Sequence, residues 1–122
     1  MSISIIPLWG NVPVEESAPP PERLLSGHPR QRTWNFFSDQ PGQFHVGRWS
    51  STPGRWRVRY TEHELCVMTA GRVALHDSSG QRLEFSAGDA FVVPAGFEGT
   101  WEVLEECTKI YGIFQPPHES GS

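Results

Sequence analysis

GDAFVVPAGFEGTW, residues Gly88 to Trp101, is the stretch whose reading decides the fold. Gly88-Asp89 opens it as a turn, and Ala90 to Val93 follow as an apolar run of strand length. Pro94 stops that run, Gly96 allows a second turn, and a new β-type run begins at Thr100 and Trp101. Upstream, HELCVMTAGRVALHD (His63 to Asp77) alternates in the same manner. Leu65, Val67 and Thr69 fall on one face of a strand, and Glu64, Cys66 and Met68 on the other. Glu64 stands seven positions before Gly71, while Gly88, Pro94 and Gly96 keep the spacing Gly-x5-Pro-x-Gly.

Outward from these two segments the pattern remains β. Phe44, Val46 and Arg48 alternate with His45, Gly47 and Trp49. After the turn Thr52-Pro53-Gly54, Trp56, Val58 and Tyr60 alternate with Arg55, Arg57 and Arg59, a half-buried strand with a basic outer face. Ser78-Ser79-Gly80 reads as a tight hairpin connection leading to Leu83 and Phe85. Thr100 to Leu104 and Lys109 to Phe114 bring the count to about eight strands, and no segment has the periodicity of a long helix. Short strands with turn chemistry between them predict a sandwich or closed barrel. At the N-terminus, Met1 to Trp9 (Ile3, Ile5, Ile6, Leu8) reads as a short strand pairing at an edge or with a second subunit. Asn11 to Arg32, with Pro19-Pro20-Pro21, reads as an irregular arm. The expected organisation is a strand and arm over 1–32, a barrel over 33–115 and a disordered tail over 116–122.

Composition narrows the function classes. A chain of 122 residues holds one domain. The formal net charge of −4 lacks the basic stripe of a nucleic-acid binder. No apolar run approaches the roughly 20 residues that span a bilayer, so no membrane role is expected. Pro7 interrupts the first apolar stretch and no basic segment precedes it, which argues against a secretory signal and for a cytoplasmic protein. In that compartment Cys66 and Cys107 are expected as reduced, buried residues.

The Glu-x6-Gly and Gly-x5-Pro-x-Gly spacings resemble the two motifs of the cupin superfamily. The resemblance implies an all-β cupin jelly-roll barrel (a double-stranded β-helix) with an extended N-terminal arm. Metal-binding cupins carry two histidines ahead of the first motif's Glu. Counting back from Glu64 places those positions at Val58 and Tyr60, or at Arg57 and Arg59. In the second motif Gly99 stands where a third histidine belongs, and Val103 where Asn belongs. Glu64 is the one ligand position that keeps its residue. His63 points to the opposite face, and Cys66 with Glu64 makes too small a donor set. No metal cofactor is therefore expected; a divalent metal held through an unforeseen residue is the alternative. Gly47-Arg48-Trp49, Thr52-Pro53-Gly54, Glu64-Leu65-Cys66, Pro94-Ala95-Gly96-Phe97, Gly99-Thr100-Trp101-Glu102 and Lys109-Ile110-Tyr111 are similar to a branch of small cupins. That branch includes the cupin domains of ureidoglycine aminohydrolase and of ethanolamine-utilisation proteins, and the likeness covers roughly Thr33 to Phe114.

Without the imidazoles such a barrel keeps an interior cavity. Strand parity makes Tyr60, Glu64, Cys66, Gly99, Trp101, Lys109 and Tyr111 the candidates to face it. A buried carboxylate needs a partner, and Lys109 is the candidate partner of Glu64. If the two pair, Lys109 could hold a ligand carboxylate or carbonyl, with Trp101 as a stacking wall and Tyr60 or Tyr111 as donors. Each has a structural alternative: an ion pair closing the barrel for Glu64, and core packing for Trp101 and Tyr111. Cys66 becomes a nucleophile only if Lys109 lowers its pKa. Two function classes follow. One is a metal-free small-molecule-binding module; the other is a small enzyme, ureidoglycine-aminohydrolase-like or of another cupin type, acting on a nitrogen-containing or carbonyl metabolite. The apolar N-terminus, lying outside the barrel, and the family likeness also lead to the expectation of a homodimer.

Overall fold

The computed structural model describes residues 3–117, and every regular element among them is a β-strand. Two long strands form the spine. β6 (His63–Asp77) and β9 (Glu98–Phe114) run antiparallel, with pairs from His63–Phe114 to Asp77–Gly99. On the far side of β9, β4 (Phe44–Ser51) pairs with its C-terminal half and β5 (Gly54–Arg59) with its N-terminal half. On the far side of β6, β8 (Ala90–Val93) and β7 (Arg82–Ser86) divide that strand in the same way. β3 (Gln31–Ser38) extends the sheet beyond β4. The result is one curled antiparallel sheet, an all-β half-barrel with its core on the concave face.

The curl has a local cause. The β6–β9 ladder shifts register between Met68 and Val73, a bulge at the middle of both strands. Gly71 sits there with φ 79°, and a Cβ at this position would be driven into the Glu106 carbonyl and the Cys107 backbone. The residue separates two strands in the linear pattern, but in three dimensions it bends one. The same bend joins Thr100–Leu104 and Lys109–Phe114 into the single strand β9, because the ladder resumes on both sides of the bulge.

Parity then sorts inside from outside. Cys66, Met68, Val73, Trp101, Val103 and Cys107 are essentially sealed, while Leu65 and Val92 stay exposed on the convex side. The turns follow their side-chain chemistry. Asp77 accepts the Ser79 and Gln81 amides across the hairpin, and Asp89 accepts the Ser86 amide.

The N-terminal third departs from expectation. Residues 3–14 carry no strand, and Ile3 and Ile5 are more than 90% exposed. The strand expected over Met1 to Trp9 is thus not formed among the described residues. The segment expected as an irregular arm instead supplies β1 (Glu15–Ser17), paired with β3, and β2 (Leu24–Gly27), paired with β5. Pro19-Pro20-Pro21 lies between them, followed by a turn in which Arg23 and Leu24 donate to the Pro20 carbonyl. The expected tail is described only as far as Pro117. No helix among the described residues is long and apolar enough to cross a membrane.

Gly71→Ala is expected to destabilise the protein by at least about 2 kcal/mol, combining left-handed backbone strain with a clash against main-chain atoms that cannot swing aside. Urea unfolding of the variant against wild type checks this; an equal midpoint would mean that the bend does not depend on Gly71.

Candidate functional site

At one end of the core the residues of β3, β4, β5, β6 and β9 leave a cavity of about 540 Å³. Its floor is an ion pair: Lys109 Nζ lies 2.8 Å from Glu64 Oε2. These are the two buried charged side chains among the described residues, each 5% exposed. Tyr60 donates its hydroxyl proton to Glu64 Oε1 at 2.7 Å and accepts from Trp101 Nε1 at 3.0 Å. Trp49 stands opposite Lys109 in the β4–β9 ladder. The ammonium consequently lies 4.6 Å from the Trp49 ring centre and 4.3 Å from that of Trp101, where aromatic faces attract a cation. Cys66 Sγ is a further 3.6 Å contact of the same ammonium.

A second chain of bonds runs from the cavity to its rim. Tyr111 donates to Asn35 Oδ1 at 2.7 Å, and Asn35 Nδ2 donates to Ser38 Oγ at 2.9 Å. Ser38 Oγ lies 2.7 Å from His45 Nδ1, and His45 Nε2 lies 3.1 Å from the Gly42 carbonyl. Gly47 makes room for the first link, since a Cβ there would press against the Tyr111 hydroxyl at 2.5 Å.

The electrostatics hold Tyr60, Cys66, Lys109 and Tyr111 in their protonated forms. Burial pushes Lys109 down, but the adjacent Glu64 carboxylate, with Cys66, more than reverses that and keeps it above its ordinary value. Burial raises the Cys66 thiol to about 12, with Lys109 opposing only in part. Burial, then the charge on Glu64, raises Tyr60 well above the ordinary phenol and brings Tyr111 to about 12. Cys66 thus lacks the lowered pKa of a nucleophilic thiol.

Of the residues singled out from sequence, Tyr60, Glu64, Trp101, Lys109 and Tyr111 line this one cavity. Cys66 and Gly99 do not. Cys66 is fully buried and touches the underside of Lys109. Gly99 shares Trp101's strand face, but the Phe97 ring and the His76 carbonyl fill the space a side chain there would need. Trp49, Trp56, Asn35 and His45 also line the cavity and were not identified from the sequence. Alternation had placed Trp49 and His45 on one face of their strand, but it does not say which face is concave.

The donor set does not fit a divalent metal. Among the described residues no three His, Cys, Asp or Glu side chains come together as a ligand group. Neither candidate pair of first-motif histidine positions, Val58 and Tyr60 or Arg57 and Arg59, carries an imidazole, and the space at Gly99 is filled by Phe97. Both Glu64 oxygens are engaged, one of them by an ammonium that would repel a second cation. A sheet curled around an inward-opening cavity of this kind defines a cupin. Residues 37–111 match the model of the EutQ-like cupin domain, and the chain belongs to that family.

Among solved structures, one similar protein is a DUF861-family protein of unknown function from Pseudomonas syringae pv. tomato, at 29% identity and TM-score 0.76. The match covers 84% of this chain but 44% of that one, so this chain spans less than half of its length. A DUF861-family protein from Thermotoga maritima matches at 27% identity over 55% of this chain and 76% of its own, with TM-score 0.54. The EutQ protein of Clostridium difficile shares the fold, with 16% identity, TM-score 0.64, and coverage of 71% of this chain and 69% of that one. Comparison with curated proteins finds no match.

Two stability experiments bear on the floor. Lys109→Met leaves Glu64 buried without its cation and is expected to cost about 3–5 kcal/mol, whereas Lys109→Met combined with Glu64→Gln recovers much of that loss. Urea unfolding of the single and double variants checks it; equal losses in both would show that the charges are not coupled. The second is alkaline unfolding. Folded pKa values raised above the unfolded ones mean that the unfolded chain loses protons first. Stability is therefore full below the ordinary values and falls as pH rises through the folded ones. For Cys66 that window runs from 9.0 to about 12. The expected slope there is about 1.4 kcal/mol per pH unit for each group titrating. Cys66→Ala flattens the first part of the decline; an unchanged slope would refute the assignment.

Proposed function

We propose that this chain is a metal-free small-molecule-binding cupin whose ligand enters the cavity above the Lys109–Glu64 pair. The ion pair carries the reading, because an ammonium stands beside the one carboxylate that a metal-binding cupin would use. Three other features support it. The volume of about 540 Å³ falls in the range of small-molecule sites. Trp49, Trp56 and Trp101 furnish apolar walls, and Tyr111, Asn35 and His45 add polar groups toward the rim. An acid–base enzyme acting on a nitrogen-containing or carbonyl metabolite has less support. Such chemistry favours a group titrating near the working pH, whereas Tyr60, Cys66 and Lys109 are all held protonated.

The test pairs metal analysis with a binding screen. Untagged protein purified without chelator or added metal is expected to hold far less than one metal ion per chain. A panel of small metabolites is expected to include compounds that change tryptophan fluorescence in wild type but not in a Trp49→Leu variant of unchanged fold. Near-stoichiometric metal that is lost on Glu64→Gln would overturn the proposal.

A further inference from the structure

The direction of each hydrogen bond around the cavity can be followed from a group that has no choice. The Gly42 carbonyl only accepts, so the proton of this bond resides on His45 Nε2. In the neutral imidazole Nδ1 is then an acceptor, and Ser38 donates its hydroxyl proton to it. Ser38 Oγ in turn accepts from Asn35 Nδ2, which leaves Asn35 Oδ1 to accept from Tyr111. The Tyr111 proton is thereby turned away from the cavity, and its oxygen lone pairs are what the hydroxyl can offer a ligand.

The floor is arranged in the same sense by independent bonds. The Tyr60 proton goes to Glu64, and the Trp101 indole proton goes to Tyr60. Lys109 directs two of its three donors to Glu64 and Cys66, and two indole rings flank the ammonium. Glu64 accepts one bond at each oxygen, and an ionised carboxylate has about four acceptor sites. The protons of both cavity tyrosines and of Trp101 are thus directed into the protein, while acceptor capacity remains on Glu64, Tyr60 and Tyr111.

We infer that the ligand meets the Tyr111 hydroxyl with a hydrogen-bond donor, an amide or amine N–H or a hydroxyl, rather than with a carboxylate or carbonyl oxygen. The inference rests on the small-molecule-binding reading above and names the chemistry of the group that reaches Tyr111. A carboxylate oxygen at that hydroxyl would face its lone pairs, because the Tyr111 proton is taken by Asn35. An N–H would find acceptors already oriented. Asn35, Ser38 and His45 are positioning residues in this scheme: they act on the ligand by fixing which way Tyr111 points its proton.

Two measurements test it. The first needs no ligand: nitrogen chemical shifts of His45 at about pH 8, above the ordinary imidazole range, report the tautomer. Protonated Nε2 with bare Nδ1 is expected, and Ser38→Ala should loosen that preference; a His45 protonated at Nδ1 would overturn the inference. The second compares benzamide with acetophenone, near-isosteres in which NH2 replaces CH3, by tryptophan fluorescence. Benzamide is expected to bind about tenfold tighter, the equivalent of one added hydrogen bond. Asn35→Leu, which frees the Tyr111 proton to turn inward, should narrow that ratio while leaving the exposed site's fold intact. Equal or tighter binding of acetophenone to wild type would overturn the inference and leave the pocket reading standing. Binding of neither probe would overturn the pocket reading and this inference with it.

Discussion

An ammonium and a carboxylate buried side by side impose the main constraint on this barrel. Taking either charge out of water costs several kcal/mol, so each needs compensation from its surroundings. The structure supplies that compensation from four strands. β6 brings Glu64 and Cys66, β9 brings Lys109 and Trp101, β4 brings Trp49, and Tyr60 follows the end of β5. These groups converge because the sheet curls, and it curls where the ladder between its two longest strands slips. Backbone geometry at Gly71 and electrostatics at Lys109 are in this sense one problem: without the bend, the strands would not bring their polar groups to a common point.

Much of this architecture was legible in the sequence, for reasons that can be named residue by residue. Turn chemistry at Gly88-Asp89 and Pro94-Ala95-Gly96, together with the Glu64-to-Gly71 spacing, marked the barrel because those positions answer to backbone geometry more than to their neighbours. Alternation along His63 to Asp77 separated Glu64 and Cys66 from Leu65, and Lys109 emerged as the partner of Glu64. What could not be read was anything set by a third element. Gly99 has the parity of a cavity residue, yet Phe97, two positions earlier, folds its ring into the space. Cys66 has the same parity and lies one layer too deep. β1 and β2, three and four residues long, are too short to show periodicity, and only pairing with β3 and β5 makes them strands. Asn35 lies in an aromatic-rich run beside a register shift, so neither its neighbours nor its parity pointed to the cavity.

The comparisons and the site agree at the level of fold. The family match covers residues 37–111, which include most of the cavity floor and wall. The EutQ protein shares the barrel at an identity where shape alone is informative. Within this cavity two tryptophans lie beside a lysine, and a tyrosine donates its proton to Asn35, which is linked in turn to Ser38 and His45. Asn35, Ser38 and His45 at the rim bond to Tyr111 and to one another rather than to the buried pair beneath.

The Phe97 ring over Gly99 bears on how readily this barrel could exchange one chemistry for another. A histidine introduced at residue 99 would meet that ring and the His76 carbonyl before it reached Glu64. Even with Phe97 cut back, Lys109 would still hold the carboxylate, and trimming Lys109 alone would leave a buried charge stranded. Each single step toward a metal centre therefore lowers fitness for folding before any ligand set exists. The present cavity sits in a local optimum for folding, and a metal centre could be built into it only by several replacements made together.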